Sequence, residues 1–149
     1  MPIGDICNRQ VVSAAKNMPV LDAARLMRQH HIGDLVVVEE TDGRRMPLGM
    51  VTDRDIVIEI VANKLDCDGL VLGDIMSQEL VTARERDGIY ETIQLMRLKG
   101  VRRIPIVNDQ GALVGIVAMD DLLGLLAEEM SELVKVAPRE QAREARTRM

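Results

Sequence analysis

The pattern of hydrophobic and polar residues predicts the same succession of elements twice along the chain. In the first half, the apolar pair Val11-Val12 precedes a segment from Val20 to Met27 whose apolar residues recur at helical spacing. Two short runs rich in β-branched residues follow, over 35–38 and 49–51, and a second helical segment comes after them. This half therefore predicts a β-α-β-β-α unit.

The second half repeats this order. It contains the apolar pair Leu80-Val81, a helical segment from Ile89 to Met96, and β-rich runs over 104–107 and 113–117. Each half also has a glycine-containing turn between its two runs. A unit of about 60 residues buries too little surface to be stable alone. We therefore expect the two copies to pack on each other as one body.

Direct alignment of the halves supports an internal repeat. A shift of 69 residues lays 3–38 on 72–107 with 9 identities in 36 pairs, where chance supplies about two. The match continues at a shift of 66, which lays 49–55 on 115–121. The three extra residues of the first copy fall within 39–45, a segment that we predict to be a turn with a small insertion.

These patterns predict an α+β fold in which two β-α-β-β-α repeats pack with pseudo-two-fold symmetry and enclose symmetric clefts. We expect a first repeat over 3–62, a linker over 63–71, a second repeat over 72–130, and a helical extension with a charged tail over 131–149. The part after Pro138 has four Arg, two Glu and no apolar stripe, so we expect it to be frayed or solvated.

Composition excludes several classes of function. The net charge is -5 and the chain has one Tyr with neither Phe nor Trp, so we expect no nucleic-acid partner. No apolar run approaches the ~18 residues that cross a bilayer, and the N-terminus lacks the stretches of a signal peptide. Two cysteines make no disulfide framework. We expect a cytoplasmic protein without membrane insertion.

The segment 49–55 carries the candidate chemistry, because a strand ends there and a helix begins at about Asp53. A helix start offers free N–H groups and a positive dipole end to a phosphate. The Thr52 hydroxyl adds a donor, and Asp55 can accept from the two vicinal hydroxyls of a ribose. The same spacing also fits a capping box, which needs no ligand. A cap directs Asp55 at its own helix start, whereas a ribose acceptor directs it into the cleft.

The second copy departs from this pattern, because Ala118 stands where the first copy has Thr52. Asp121 remains as a possible ribose acceptor, but no hydroxyl is available for a phosphate. We therefore expect the two clefts to be unequal.

Positive charge is also distributed unequally between the copies. Arg102 and Arg103 precede a strand of the second copy, where the first copy has Gly33 and Asp34. Neighbouring strand residues point to opposite faces, so one Arg at most faces a given cleft easily, and two Arg at a strand start are ordinarily solvated. Together with Arg54, they are the candidate phosphate contacts.

Other constellations do not indicate an enzyme. The adjacent pair His30-His31 diverges by about 100° on a helix and does not face one metal. Cys7 aligns with Met76 across the repeat, which suits a packing position better than a nucleophile. We expect no catalysis and no metal requirement.

The duplicated motifs together resemble a pair of cystathionine β-synthase (CBS) domains, the arrangement called a Bateman module. The resemblance covers roughly residues 3–125. It rests on the Gly-Asp-Ile openings at 4–6 and 73–75, on Val101-Arg-Arg-Ile-Pro-Ile-Val107, and on the segments 49–55 and 115–121.

This resemblance implies a regulatory sensor that acts in signal transduction on a separate protein, forms a homodimer, and binds AMP, ADP, ATP, NAD or S-adenosylmethionine between the repeats. Basic residues at these places meet phosphates, sometimes in the neighbouring cleft. The implied ligand contacts are Thr52, Arg54, Asp55, Thr82, Arg102, Arg103, Ile104, Pro105, Asp120 and Asp121. The alternative is a structural dimerisation module without ligand, in which the helices over 91–98 and 120–134 form an oligomer surface.

Overall fold

The structure is a computed structural model, and it describes residues 1–148. Its elements follow the predicted α+β order twice. The first set is β1 Ser13–Ala15, α1 Val20–His30, β2 Asp34–Thr41, β3 Arg44–Thr52 and α2 Asp53–Ile56, which continues as a π-helical turn Val57–Val61. A short helix α3 Leu72–Ile75 opens the second set, which has β4 Ala83–Arg84, α4 Ile89–Lys99, β5 Arg103–Val107, β6 Leu113–Ala118 and α5 Met119–Val134. A last helix, α6, covers Val136–Thr147.

Each repeat forms its own three-stranded sheet, in the orders β1-β2-β3 and β4-β5-β6. The first strand of each sheet runs parallel to the second, and β2 is antiparallel to β3. The first strands begin at Ser13 and Ala83, one or two residues after the apolar pairs that predicted them.

The hairpin of the first repeat corrects one prediction. Strands β2 and β3 run through the segment 39–45, which we predicted to be a turn with an insertion. They meet at a turn of only two residues, Asp42 and Gly43, whose φ angles are 53° and 75°. Two left-handed residues match the twist of a tight hairpin, so the residues on either side stay in the ladder. The extra length therefore lengthens the hairpin arms.

The opening segment of each repeat packs on the other repeat. The Gly4 N–H donates to the Glu85 carbonyl at 2.8 Å, and the Gly73 N–H donates to the Lys16 carbonyl at 2.9 Å. These two bonds join positions that correspond under the 69-residue shift. The repeats are therefore related by pseudo-two-fold symmetry within the compact unit formed by residues 1–117.

A second pair of reciprocal bonds joins each opening segment to the last strand of the other sheet. The Asn8 N–H donates to the Ile116 carbonyl at 2.8 Å, and the Ser77 N–H donates to the Met50 carbonyl at 3.0 Å. The opening segment of the second repeat also contributes to the core of the first repeat, because Leu72 is fully buried there. Aliphatic side chains contribute about 1.5–3 kcal/mol each when fully buried. The exchange therefore ties the stability of one repeat to the other.

Residues from Ala118 to the C-terminus form a second compact unit, which contains α5 and α6. The tail that we expected to be frayed or solvated is helical, and every residue from Leu126 to Arg148 is exposed. Among the helices of residues 1–148, we find none with the length and apolar character that a membrane span requires.

Candidate functional site

The β3–α2 junction has the capping box that the sequence allowed. Thr52 is extended, with φ -109° and ψ 163°, which turns its hydroxyl toward the helix start. This hydroxyl accepts from the Asp55 N–H at 3.1 Å, and Asp55 Oδ2 accepts from the Thr52 N–H at 2.8 Å. Two orphan N–H groups of the helix start are thereby satisfied. The structure thus has the contacts of the capping interpretation.

Capping does not use the whole of the Asp55 carboxylate. The capping bond engages Oδ2, and an ionised carboxylate has a second oxygen with its own lone pairs. Asp55 is half-buried, so the carboxyl is not enclosed by the cap. Its role as a ribose acceptor stays a prediction.

The start of β2 lies beside this junction. Asp34 is the register partner of Thr52 in the β2–β3 ladder, and the Asp53 N–H donates to the Gly33 carbonyl at 2.9 Å. Asp53 then caps the next peptide, because its Oδ1 accepts from the Arg54 N–H at 2.8 Å. Two acidic side chains, Asp34 and Asp53, thus flank Thr52. The Arg54 side chain is exposed.

An ion pair connects the second repeat to this place. Arg103 Nε lies 3.0 Å from Asp34 Oδ1, and the side chains are 41% and 11% exposed, respectively. The two residues correspond under the 69-residue shift, so the pair joins equivalent positions of the two repeats. Arg103 therefore reaches from the second repeat to the first. Arg102 is exposed.

The Asp34 carboxyl has an unusual electrostatic environment. Burial raises the pKa of Asp34 above its ordinary value, the Arg103 guanidinium opposes this shift, and the neighbouring Asp53 carboxylate reinforces it. Ionised Asp34 therefore depends on Arg103 for compensation of its burial.

The corresponding junction of the second repeat is a weaker cap. Asp121 Oδ2 accepts from the Ala118 N–H at 3.1 Å, but Ala118 has no hydroxyl to accept in return. Asp120 and Asp121 are exposed at the start of α5. The two junctions are thus chemically unequal, and a ligand role for these two acids remains a prediction.

Thr82 lies in a groove of the second repeat. It is half-buried just before β4, and the groove is further lined by Arg84, Arg86, Asp87 and Asp109. The equivalent groove of the first repeat is lined by Ser13 and its neighbours, where Arg45 Nη1 donates to the Ser13 hydroxyl at 3.2 Å. Both grooves lie beside the first strand of a sheet, and the groove of the second repeat is the more polar of the two.

Ile104 and Pro105 lie in the core of the second repeat. The Ile104 side chain is 0% exposed, and Pro105 is also among the fully buried side chains. They pack as core residues of β5, because three successive apolar residues in a sheet covered on both faces are buried together. Their side chains are enclosed by the core, and their role as ligand contacts stays a prediction.

The family model of the CBS domain matches residues 3–62 and 72–128. The chain belongs to the CBS-domain family. The CBS domain-containing protein YhcV of Bacillus subtilis is 39% identical over 120 residues, which are 80% of this chain and 81% of the relative. Two further curated relatives are longer, since the chain covers 60% and 55% of their lengths.

Solved structures show the same CBS pair. The crystal structure of the CBS domain pair of protein MJ0100, in complex with 5′-methylthioadenosine and S-adenosyl-L-methionine, matches with a TM-score of 0.75 and 25% identity. The match covers 87% of this chain and 98% of that one. Hypoxic Response Protein I, with two coordinated zinc ions, matches with a TM-score of 0.71 and 32% identity over 83% of this chain and 97% of that one.

The linker contains one cluster of potential metal ligands. It consists of Asp66, Cys67 and Asp68, and one potential ligand atom from each lies within 4.8 Å of the others. Exposed acidic groups of this kind are common without a metal. The expectation that the protein requires no metal stays a prediction.

Cys7 occupies a packing position, as its alignment with Met76 suggested. Its thiol donates to the Gly4 carbonyl at 3.5 Å, and burial raises the pKa of the thiol. A Cβ built on Gly115 would lie 2.5 Å from Cys7 Sγ, so the thiol fits against a strand that only glycine leaves open. A protonated, packed thiol is a poor nucleophile.

Asp34 and Asp53 are the site residues that the sequence did not reveal. In the sequence, Asp34 differs from its counterpart Arg103 by lacking a positive charge. No local pattern signals the contact between Asp34 and Arg103, since these two residues are 69 positions apart and meet only when the repeats pack. The repeat alignment already paired their positions, and this is the one signal that could have directed attention to them.

Proposed function

We propose that this CBS pair is a regulatory sensor that binds an adenosine-containing ligand at the β3–α2 junction of the first repeat. The observation that carries the proposal is the reach of Arg103 from the second repeat to Asp34, the register partner of Thr52. A ligand at this place contacts both repeats. It can therefore favour one arrangement of the repeats over another, which a ligand confined to one repeat cannot do.

The functional groups at the junction match the requirements of an adenosyl ligand. The uncommitted oxygen of Asp55 accepts from the ribose hydroxyls, while the Thr52 hydroxyl, which accepts from the Asp55 N–H, donates its own proton to the polar substituent. The relative MJ0100, whose CBS pair binds 5′-methylthioadenosine and S-adenosyl-L-methionine, supports the ligand class. Five further residues remain proposed ligand contacts at the edges of the two repeats: Arg54, Thr82, Arg102, Asp120 and Asp121.

Thermal unfolding with AMP, ADP, ATP, NAD and S-adenosylmethionine tests the proposal. A ligand at 100 times its dissociation constant adds about 2.7 kcal/mol to the free energy of unfolding. The best ligand should then bind the Asp55→Asn variant at least roughly tenfold more weakly, because a charge-assisted bond to the ribose is lost.

Asp74→Asn is the matched control for Asp55→Asn. Asp74 Oδ2 accepts from the Val71 N–H at 2.9 Å, so it makes the same kind of cap at the opening of the second repeat. Its replacement should change stability but not affinity. No stabilisation by any of the five compounds would overturn the sensor proposal.

A structural dimerisation module is the second candidate, and the surface of α5 favours it. Four large apolar side chains of α5 are exposed to solvent: Leu123 (55%), Leu126 (42%), Met130 (66%) and Leu133 (71%). Their spacing of three and four residues is that of a coiled-coil seam. We propose that this apolar seam pairs with a second copy of the chain. A homodimer of this kind is compatible with the sensor role and does not require it.

The regulated protein and its compartment remain proposals of the same kind. The match to the CBS family covers residues 3–62 and 72–128, and we propose that a ligand signal passes from this pair to a separate protein in the cytoplasm. Pull-down with and without the identified ligand would test this step. Identical captured proteins in both conditions would contradict it.

A further inference from the structure

The first-repeat site has an electrostatic property that bears on which adenosyl compounds it accepts. Arg103 reaches the junction from the second repeat, and its Nε is already paired with Asp34 Oδ1 at 3.0 Å. Asp53 adds a further carboxylate close to Asp34. One paired arginine thus stands against two acids.

The positive charge of Arg103 is already compensated by the carboxylate of Asp34. The Asp34 side chain is only 11% exposed, whereas Arg103 is 41% exposed. The ion pair uses Arg103 Nε, so a phosphate that reached the Nη groups of the same guanidinium would lie beside a carboxylate with little access to water. Arg103 therefore offers a phosphate less attraction than an arginine without a paired carboxylate would.

Asp53 is held where a phosphate would meet it. A Cβ built on Gly33 would lie 2.9 Å from Asp53 Oδ2, so this carboxylate lies directly over the peptide that precedes Asp34. A phosphate at the helix start would therefore approach two like charges. Arg54 and Arg102 are exposed, and water and salt screen the attraction that they contribute.

We propose that Asp34, through its ion pair with Arg103, makes the first-repeat site prefer neutral or positively charged adenosyl compounds, such as a thioether or a sulfonium, over phosphorylated nucleotides. This inference rests on the proposed function. In this proposal, Asp34 selects among ligands by their charge. Asp55 recognises the ribose, which all of these ligands share.

Calorimetric titration of the full chain with 5′-methylthioadenosine, S-adenosylmethionine, AMP and ADP tests this preference. The unmodified protein should bind one of the first two at least roughly tenfold more tightly than AMP. Asp34→Asn removes a negative charge and releases Arg103, so AMP affinity should rise and the ratio should fall by at least roughly tenfold. Asp22→Asn, in an exposed ion pair with Arg25, is the matched control and should leave the ratio unchanged.

Asp53→Asn provides a second variant if Asp34→Asn does not fold. Asp53 is exposed, and the amide oxygen of Asn can still accept from the Arg54 N–H, so folding should persist. The ratio should shift in the same direction. Equal binding of AMP and methylthioadenosine by the unmodified protein, or an unchanged ratio in the folded variants, would overturn the inference while leaving the sensor proposal intact. Failure of every compound to bind would instead defeat the sensor proposal.

Discussion

Thr52 and Asp55 illustrate how one pair of side chains can serve folding and ligand recognition together. The capping box satisfies the helix start through Thr52 Oγ1 and Asp55 Oδ2. The cap also orients the carboxylate before any ligand arrives, so less conformational freedom is lost on binding. Site residues that also cap a helix therefore contribute to stability and affinity separately, and the two effects need separate measurements.

The cap leads to a paired prediction about stability. Thr52→Ala should lower the free energy of unfolding by about 1 kcal/mol, because one helix N–H loses its acceptor. Ala118 has φ -108° and ψ 153°, close to the angles of Thr52, so Ala118→Thr should complete the second box and raise the free energy of unfolding by a similar amount. Urea denaturation measures both changes. Equal destabilisation by both substitutions would contradict the capping account.

Asp34 leads to a prediction about pH. Its pKa is raised above 3.8, mainly by burial. The folded protein therefore holds this proton more tightly than the unfolded chain does, and the free energy of unfolding gains a contribution as pH falls through the raised pKa toward 3.8. Stability relative to Asp34→Asn, which does not titrate, should rise as the pH is lowered from about 7 to about 4. A relative stability that fell over this range would refute the assignment.

At the scale of elements, the opening segments depend on close approach between backbones. A Cβ built on Gly49 in β3 would lie 2.6 Å from the Ser77 carbonyl oxygen, in the segment that follows α3. The hydrogen bond from the Ser77 N–H to the Met50 carbonyl holds these two backbone segments at this separation. A side chain at position 49 would push β3 of the first repeat away from the opening segment of the second repeat.

Gly49→Ala should therefore destabilise the protein by about 1–3 kcal/mol, as overpacking does in a close-packed interior. Gly124 in α5 is the control, because a Cβ built there meets nothing within 4 Å. Gly124→Ala should instead raise the free energy of unfolding by about 1 kcal/mol through helix propensity. Thermal denaturation of both variants would distinguish these opposite signs, and a neutral Gly49→Ala would show that the segments can separate without cost.

The whole CBS pair is held together by exchange between its repeats. Each opening segment bonds to the other repeat, and Leu72 completes the core of the first sheet. Neither repeat keeps its core without the other, so we expect the two to unfold together in a single transition. The ion pair between Asp34 and Arg103 adds a charged contact between equivalent positions.

The α5 seam makes a prediction about assembly. Leu126→Glu together with Leu133→Glu places two charges in the exposed apolar row and should abolish self-association, which sedimentation velocity would show as a lower mass. Ser131→Glu is the control, since position 131 lies one residue after Met130 and outside the row. An unmodified chain that sedimented as a monomer would refute the pairing.

The repeat, the element order and the capping motif could be derived from the residues alone, because each depends on contacts within a few positions or on similarity along the chain. Periodicity at 3.6 or 2 residues reports the buried face of an element wherever that element lies. The same information placed Thr52 and Asp55 at a helix start. Strand ends were less accurate, as the long β2–β3 hairpin shows.

The pairing of Arg103 with Asp34 and the burial of Ile104 and Pro105 could be learned only from the packed chain. A charge becomes a phosphate contact or half of an ion pair according to which distant group faces it. An apolar residue lines a cleft or fills the core according to what covers its sheet. Both outcomes depend on how the two repeats meet across their pseudo-symmetry axis, and no local pattern encodes that meeting.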